Sequence, residues 1–524
     1  MSISSSHVPP LGRARAPHSL QSPRVIVVGA GIGGLAVAMR LAARGVDVLV
    51  LERDRDVGGK ARTERIAGFD VDAGPTVVTM RWALDEVFQG AGARLDEHVR
   101  LEPSLVLARH AWSDGTRFDL FADPARALDE VGRVFGPRER AAYAAFRDDA
   151  RRIYESVEAP FLRAPAPTLR SVLAEARRNL GALTRIDALR SMMSALEARF
   201  SNPKLTQLFG RYATYCGSSP YEAPATLNLV SHVEAMGVYR VHGGVGALAQ
   251  AMRTVAAAHG ATFRHEATVV EVVDRTGQAR GVRLANGEQF AADAVVFNGD
   301  VAALAGMTTR RAVAPHSPQK RSFSAVTWTA VARASGFPLV HHNVFFSDDY
   351  RTELEALVRD RRVHDRPTVY LCAQDRGDEP RHLAEERMLL IVNAPATGDD
   401  PERWQQLENE RCDRAAFQWI ERCGLTLENV TRRRTTPREW NQRVPATGGA
   451  LYGPISSGST SAMMRHGSST KLPGLFMAGG SVHPGPGVPM AALSGTRAAE
   501  ATLAYLASTA RSRPAGIAGT TSTA

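Results

Sequence analysis

A short apolar run near the N-terminus begins the most informative part of the chain. Residues 25–28 are consecutive β-branched residues, which is typical of a strand buried in a parallel sheet. They lead through a glycine-rich turn into residues 35–44, whose composition predicts a helix, and residues 46–51 form a second apolar run. The pattern therefore predicts one β-α-β unit.

Two later regions add apolar strands. Residues 261–297 predict successive strands, with turn signals at 275–277 and 285–287, where Asn-Gly favours a hairpin. This region closes with a buried strand at 293–297, and residues 474–478 form another one before a further glycine-rich turn. We expect these strands to join the β-α-β unit.

The separation of these strands predicts a discontinuous domain, completed by a helical pattern at 491–506. The chain is also longer than a usual single domain, so two domains around a shared cleft are expected. We predict a disordered leader at 1–23, a nucleotide-binding domain from 24–90, 235–305 and 441–510, a second domain from 91–234 and 306–440, and a disordered tail at 511–524.

Within the first insert, apolar residues recur at helical spacing and are interleaved with arginines. The spacing predicts one helical stripe, and two interpretations of it stay open. The helices either pack on their own domain or present a basic amphipathic surface, over about 161–200, to lipid. The stripe comprises Leu173, Leu180, Leu183, Ile186, Leu189, Met193 and Leu196.

Charge changes this picture only slightly. The 64 Lys and Arg residues exceed the 54 Asp and Glu residues and give a net charge of +10. The excess is arginine scattered along the chain, so we predict no nucleic-acid partner. A positive protein is nevertheless attracted to anionic lipid surfaces.

Cysteine spacing argues against a metal centre. The four cysteines are Cys216, Cys372, Cys412 and Cys423, and no pair has Cys-x-x-Cys spacing. We therefore predict no metal, ordinary packing roles for the cysteines and a reducing, cytoplasmic location. The leader also lacks the apolar stretch of a signal peptide.

The glycine-rich turn has the spacing of a dinucleotide site. Gly29 allows the tight turn, Gly31 allows the backbone to approach a diphosphate, and Gly34 allows the helix to pack closely on the strand. The diphosphate then lies at the positive end of the helix. Glu52 follows Gly34 by 18 residues, where a carboxylate can bind both ribose hydroxyls and repel the 2′-phosphate of NADP.

The sequence after this unit resembles the extended FAD motif of flavin amine oxidases and carotenoid desaturases. The matching elements are Glu-Arg-x4-Gly-Gly-Lys-x-Arg at 52–62, Gly-Pro-Thr at 74–76, a Val-x-x-Val pattern from Val269, and a glycine-rich turn at 479–495. The resemblance implies an α/β fold with a Rossmann-type FAD-binding domain of the flavin amine oxidase/phytoene desaturase superfamily and an inserted α+β substrate domain. It implies FAD contacts at Gly29, Ala30, Gly31, Gly33, Gly34, Glu52, Arg53, Gly59, Lys60, Arg62, Gly74, Pro75, Thr76, Val269, Gly479, Gly480, Val488, Pro489 and Met490.

One departure from the motif concerns the flavin end of the cofactor. Many relatives have an acid where Gly480 stands, and that acid contacts the ribityl chain. Here the contact is expected to be lost or replaced by backbone, which would weaken FAD binding.

Further motifs resemble one branch, the bacterial 1-hydroxycarotenoid 3,4-desaturases. These motifs are 79–82, 208–215, 345–350 and 479–487, whereas 72–79 and 483–489 resemble the bacterial carotenoid desaturases of the phytoene desaturase type in general. The resemblance implies desaturation of the C3–C4 bond of acyclic 1-hydroxy- or 1-methoxycarotenoids. A phytoene desaturase or carotenoid isomerase of the same fold is the nearest alternative. An amine oxidase would normally place aromatic residues between Gly479 and Gly495, where this chain has none, and a prenyl-protein carrier would need no flavin.

The implied chemistry needs only a weak base. Loss of a hydride from C4 to flavin N5 would leave a cation delocalised over the polyene, which makes the C3 proton easy to remove. His483 is the candidate for this step because its motif places it beside the flavin and imidazole titrates near neutrality. The alternative is that His483 only shapes its turn, and Arg81 and Trp82 are expected to serve mainly in packing or at the surface.

The implied substrate also constrains location. Carotenoids are insoluble in water, so the substrate must enter from lipid, and we expect peripheral attachment to the inner face of a membrane. Quinone and oxygen both stay open as electron acceptors.

Overall fold

The computed structural model describes residues 22–164, 187–309, 312–314, 317–377, 383–458 and 465–511. Its strands are β1 (Arg24–Val28), β2 (Asp47–Leu51), β3 (Thr63–Ile66), β4 (Phe69–Asp72), β5 (Leu101–Pro103), β6 (Val106–Ala111), β7 (Arg117–Phe121), β8 (Tyr239–Val241), β9 (Thr262–Arg264), β10 (Val269–Arg275), β11 (Gln278–Leu284), β12 (Gln289–Ala291), β13 (Ala294–Phe297), β14 (Ser324–Ser335), β15 (His342–Phe345), β16 (Val369–Ala373), β17 (Glu386–Ala394), β18 (Thr426–Thr435) and β19 (Leu475–Met477).

Helices connect and cover these strands. They are α1 (Ile32–Ala42), α2 (Arg81–Gln89), α3 (Pro124–Phe135), α4 (Pro137–Val157), α5 (Met192–Arg199), α6 (Pro203–Gly210), α7 (Leu229–Ala235), α8 (Val245–Ala258), α9 (Val301–Leu304), α10 (Tyr350–Val358), α11 (Gln406–Arg422), α12 (Pro437–Arg443) and α13 (Val488–Arg511), with a π-helical turn at Glu158–Leu162.

A five-stranded parallel sheet of order β19-β13-β1-β2-β9 forms the first half of the molecule. Val25 of β1 pairs with Val48 on one side and with Ala294 on the other, and Val295 of β13 pairs with Leu475 of β19. The expected strands are thus confirmed, and they bring distant segments side by side. The hairpin turns are also confirmed, because β10, β11 and β12 form an antiparallel sheet broken at the two turn signals.

Helix α1 lies at the centre of this half. Every residue from Ile32 to Ala42 is buried except Arg40, because the sheet covers one side and α8 and α13 cover others. Burying a side chain such as Leu35 or Met39 stabilises the fold by about 1.5–3 kcal/mol. The helix therefore fixes its own N-terminus, where the glycine turn lies.

A seven-stranded sheet of order β18-β14-β17-β16-β15-β6-β7 forms the second half. The pair β15–β6 is parallel and the other neighbours are antiparallel. Both predicted inserts, 91–234 and 306–440, contribute strands to this sheet. Helix α11 packs on one face of this sheet, and α3 to α6 cover the other.

A buried ion pair joins the end of β16 to the start of β17, two central strands of this second sheet. Arg376 bonds both carboxylate oxygens of Glu386, at 2.5 and 2.6 Å, and the two side chains are 4% and 0% exposed. Arg376 also donates to the Leu339 carbonyl at 3.3 Å. Because breaking such a buried pair is costly, it fixes the loop that precedes β15.

The predicted single helical stripe is wrong where the structure describes it. Leu173, Leu180, Leu183 and Ile186 lie outside the described residues. Leu189 is not helical and is 92% exposed, because α5 begins only at Met192, where Ser191 caps it by accepting from the Ser194 amide. Met193 and Leu196 are buried, as expected for a helix that packs on its own domain.

The predicted termini also need adjustment. Pro23, assigned to the leader, accepts a hydrogen bond from the Asp47 amide, and Arg511, assigned to the tail, is the last residue of α13. Helix α13 is therefore longer than the 491–506 pattern indicated. Residues 1–21 and 512–524 lie outside the described residues.

No described helix combines the length and apolar character required to cross a bilayer.

Candidate active site

The first glycine turn is shaped by backbone contacts that exclude side chains. Gly29 has φ of +94°, and its amide donates to the Leu51 carbonyl at 2.8 Å. A Cβ at Gly34 would lie 2.1 Å from the Gly29 carbonyl oxygen. Glycine is therefore required at Gly29 for the backbone angle and at Gly34 for close packing.

Asn298 joins this turn to the closing motif near the C-terminus. Its Nδ2 donates to the Gly29 carbonyl at 3.1 Å, and its Oδ1 would meet a Cβ at Gly33 at 2.5 Å and one at Gly479 at 3.0 Å. The sequence prediction missed Asn298. Its only signal was a polar residue directly after a buried strand, at the edge where α/β sheets bind ligands.

The second glycine pair packs directly against the first turn. The Gly58 amide donates to the Ala30 carbonyl at 2.8 Å, and a Cβ at Gly59 would approach the Gly31 Cα at 3.3 Å. Gly74 in turn packs on the backbone of Lys60, because its Cβ would lie 1.8 Å from that carbonyl oxygen. The structure thus brings the predicted motifs at 29–34, 58–62 and 74–76 together.

Glu52 is buried at the end of β2 with both oxygens engaged. Oε2 accepts from the Ala30 amide at 2.6 Å, and Oε1 accepts from the Asp54 amide at 2.9 Å. Burial raises the pKa of this carboxyl, while the two amides oppose that rise. Because a carboxylate oxygen can accept more than one hydrogen bond, both oxygens keep capacity for a ligand hydroxyl. The Ala267 amide donates to the Glu52 carbonyl, which brings Val269 into the same neighbourhood.

The two predicted arginines and the lysine have protein partners. Arg62 pairs with Glu64 at 2.7 Å and lies 4.8 Å from the centre of the Trp440 ring, yet its Nη1 is buried without a partner among the described residues. Lys60 donates to the Leu451 carbonyl at 2.6 Å, and burial lowers its pKa. Arg53 instead reaches the Gln442 carbonyl on α12 at 3.3 Å.

The closing turn leads into the N-terminus of α13. Val488 and Pro489 are buried there, and Met490 packs in an apolar cluster with Met80 and Phe161. Since the first amides of a helix lack intrahelical partners, this end carries partial positive charge.

Gly480 is held through its backbone. Its carbonyl accepts from Arg465 Nη1 at 3.3 Å. A Cβ at Gly480 would have its nearest contact, with the Pro486 Cα, at 3.6 Å, so the position has room for a side chain.

His483 is completely buried at the base of this turn. Its Nε2 lies 3.3 Å from the Ala164 carbonyl, which can only accept, so Nε2 carries the proton and Nδ1 has the lone pair. Nδ1 is buried and has no partner within the described parts of the chain. Burial, together with the charge of Arg497, lowers the pKa of His483 to about 4.

Two residues that the sequence prediction treated as secondary have structural partners. Arg81 pairs with Asp85 and Asp96, and Trp82 packs beneath the guanidinium of Arg163 at 4.2 Å. These are packing and surface contacts, as expected.

Thr76 connects the glycine-rich half to the seven-stranded sheet. Its Oγ1 lies 2.6 Å from the hydroxyl of Tyr370 on β16, and Tyr370 lines a small cavity of about 20 Å³ whose wall comes mostly from the second half of the molecule. The sequence prediction missed Tyr370, because nothing in its local pattern marks it.

A model of the flavin containing amine oxidoreductase family matches residues 32–503, a range that includes every strand except β1 and every motif described above except residues 29–31 of the first glycine turn. The chain belongs to this family. Among curated flavin amine oxidoreductase relatives, it is 48% identical to the hydroxyneurosporene desaturase of Rubrivivax gelatinosus, over 96% of this chain and 98% of that protein. It is 30% identical to a 1-hydroxycarotenoid 3,4-desaturase of a Flavobacterium species, over 90% and 97% of the two chains. An oxidoreductase from Methanosarcina mazei has the same fold, with a TM-score of 0.60 at 16% identity over 91% of this chain and all of that one.

As a member of the flavin amine oxidoreductase family, the protein is an FAD-dependent oxidoreductase. Its residues fit the cofactor. The spare acceptor capacity of Glu52 suits the adenosine ribose, and the unpartnered Nη1 of Arg62 and the N-terminus of α1 suit the diphosphate. The side-chain-free turns provide the close backbone approach that a dinucleotide requires.

Replacing Gly480 with Asp tests the flavin end of this site. The position has room for the side chain, and an acid there would supply the ribityl contact that the sequence lacks. We expect FAD to bind about tenfold more tightly, as one hydrogen bond to a charged group allows. Fluorescence titration of the apoprotein with FAD measures the change.

The matched control is Gly479→Asp, one residue earlier. Gly479 has φ of +107° and faces Asn298, so this variant should lose FAD binding. If Gly480→Asp also weakened FAD binding, the flavin would not approach the closing turn at Gly480.

Proposed function

We propose that this protein desaturates the C3–C4 bond of acyclic 1-hydroxy- or 1-methoxycarotenoids. The observation that carries the proposal is the full-length similarity to hydroxyneurosporene desaturases, at 48% identity.

The protein's residues would position the reacting end of the substrate. When bound, the oxidised flavin supplies an acceptor for the hydride from C4. The segment 74–76 and the first residues of α13 hold the flavin from two sides in this proposal. The positive N-terminus of α13 would stabilise negative charge there.

Anaerobic mixing of the FAD-loaded enzyme with 1-hydroxyneurosporene tests the reaction class. We expect the flavin absorbance to bleach while the carotenoid spectrum shifts to longer wavelength, since one double bond is added to the conjugated system. Readmission of oxygen or addition of a quinone should then restore the flavin, and the faster of the two identifies the acceptor.

Phytoene and putrescine serve as comparison substrates. Bleaching by phytoene but not by the hydroxycarotenoid would replace the proposal with a phytoene desaturase, and bleaching by putrescine would replace it with an amine oxidase. A protein that cannot be reconstituted with FAD would instead favour a carrier.

His483 is our proposal for the group that accepts the C3 proton. Its Nδ1 lone pair has no partner among the described residues, and its lowered pKa keeps it neutral near pH 7. A weak base is sufficient because the delocalised cation makes the C3 proton acidic. Its contact with Ala164 also fits a structural role, which the variant below distinguishes.

Replacing His483 with Ala should lower turnover about 100-fold or more while FAD content stays normal. In the wild type, the neutral imidazole is the active form, so the rate should be constant from pH 6 to 8 and fall only as the pH approaches about 4. The exposed His98 provides the control, because His98→Ala should leave turnover unchanged. Unchanged turnover in the His483 variant would eliminate the catalytic role.

We also propose that the protein binds a membrane surface peripherally, on the cytoplasmic side. The net charge of +10 and the insolubility of the substrate support this. Leu189, inside the basic segment 161–200, is 92% exposed and adjoins Arg190, whose side chain is 57% exposed.

Sedimentation with liposomes tests this attachment. We expect the protein to pellet with anionic vesicles at low salt, to remain in solution with zwitterionic ones, and to be released at high salt as the charges are screened. Leu189→Ser should weaken binding, whereas the control Leu407→Ser, at another exposed leucine, should not. A protein that stays in the supernatant with anionic vesicles would contradict the proposal.

A further inference from the structure

Polar side chains gather on one face of the seven-stranded sheet, where they line the small cavity beside Thr76. His342 on β15 and Tyr370 on β16 lie on the same face, because His342 pairs with Cys372 in register and Val344 pairs with Tyr370. The cavity wall mixes these polar groups with apolar ones. Its lining includes Val77, Leu208, Arg211, Tyr215, His342 and Tyr370.

A short hydrogen-bonded chain crosses this cavity wall. Thr76 Oγ1 lies 2.6 Å from the Tyr370 hydroxyl, which lies 2.7 Å from His342 Nδ1. The other ring nitrogen of His342, Nε2, is buried and has no partner among the described residues. A buried polar atom without a partner is costly, so it marks a position that a ligand can satisfy.

The chemistry of the chain suits a neutral hydroxyl group. Burial, with the nearby charges of His341, Arg240 and Arg211, lowers the pKa of His342, and burial raises the pKa of Tyr370. Both side chains are therefore neutral near pH 7. A hydroxyl can donate and accept, so it can pair with Nε2 in either tautomer of the imidazole.

The same region offers a set of metal-ligating atoms. His341, His342 and Cys372 have ligand atoms within 4.8 Å of one another. The positive charges of Arg211 and Arg240 oppose a cation there, and burial raises the pKa of the Cys372 thiol, which keeps it protonated. The surroundings thus favour a neutral polar ligand over a metal ion.

We propose that the chain Thr76–Tyr370–His342 binds the terminal C1 hydroxyl of the substrate and selects hydroxylated carotenoid ends. This inference rests on the proposed function. In a C3–C4 desaturation, the hydroxyl-bearing carbon C1 is only three carbon–carbon bonds from C4. The group that binds the hydroxyl must therefore lie next to the flavin, and Thr76 belongs to the segment proposed to approach it. Arg211 and Tyr215, joined by a 2.7 Å hydrogen bond, extend the polar wall.

Tyr370→Phe tests the inference because it removes one hydroxyl from the chain and keeps the ring. The dissociation constants of 1-hydroxyneurosporene and neurosporene are measured on the FAD-loaded enzyme in liposomes by quenching of flavin fluorescence. We expect the wild type to prefer the hydroxylated ligand, and the variant to lose about tenfold of that preference by binding this ligand more weakly while neurosporene binding is unchanged. His342→Leu should have the same effect if Tyr370→Phe fails to fold.

Tyr143→Phe is the matched control, because Tyr143 is a buried tyrosine packed on Phe209 and does not line the cavity. It should leave the preference unchanged. Equal loss of affinity for both ligands in the Tyr370 and His342 variants would overturn the inference while leaving the proposed function intact. Stoichiometric zinc in the purified enzyme would also overturn it. A wild type that turns over no hydroxycarotenoid would instead contradict the proposed function.

Discussion

The close approach of three backbone segments at Asn298 is the constraint on which the rest of the site depends. The turn after β1, the end of β13 and the turn after β19 meet there, and the space is so small that Gly33 and Gly34 cannot carry a Cβ without a clash. Because Asn298 binds the Gly29 carbonyl, it fixes the position of the first turn relative to the other strands. The buried helix α1 then holds its N-terminus at the point where a diphosphate can bind.

The second half of the molecule adds what the glycine-rich half lacks. Its sheet places the Tyr370 hydroxyl against Thr76. An apolar cluster that includes Met490 lies at the start of α13. The buried pair of Arg376 and Glu386 fixes the loop before β15, and the Arg376 carbonyl lies 3.1 Å from His341 Nδ1. The polar side of the cavity is therefore rigidly supported, which suits a site that has to place one bond of a long, uniform polyene.

The nucleotide-binding half could be predicted well from the sequence, because close backbone packing requires glycines at fixed spacing. Glycines at 29, 31 and 34, a β-branched run before them and Glu52 after the second strand each follow from a local requirement. Asn298 and Tyr370 were missed because their roles arise from strand pairing between distant segments. The pairing of Arg62, an expected FAD contact, with Glu64 was also missed, because the hairpin brings Glu64 beside it. The prediction of a single helical stripe was wrong because the regular spacing of apolar residues continues across residues 187–191, although Ser191 caps a new helix there.

The strand order of the parallel sheet has a consequence for how the protein is made. Its central strand β1 is synthesised long before β13, and β19, which pairs with β13, follows later still. Pairings between such distant segments form slowly. Before β13 is available, the edge of the apolar strand β1 that will face it has no paired strand. The cofactor site, which needs the turn after β19, is complete only once that turn has left the ribosome.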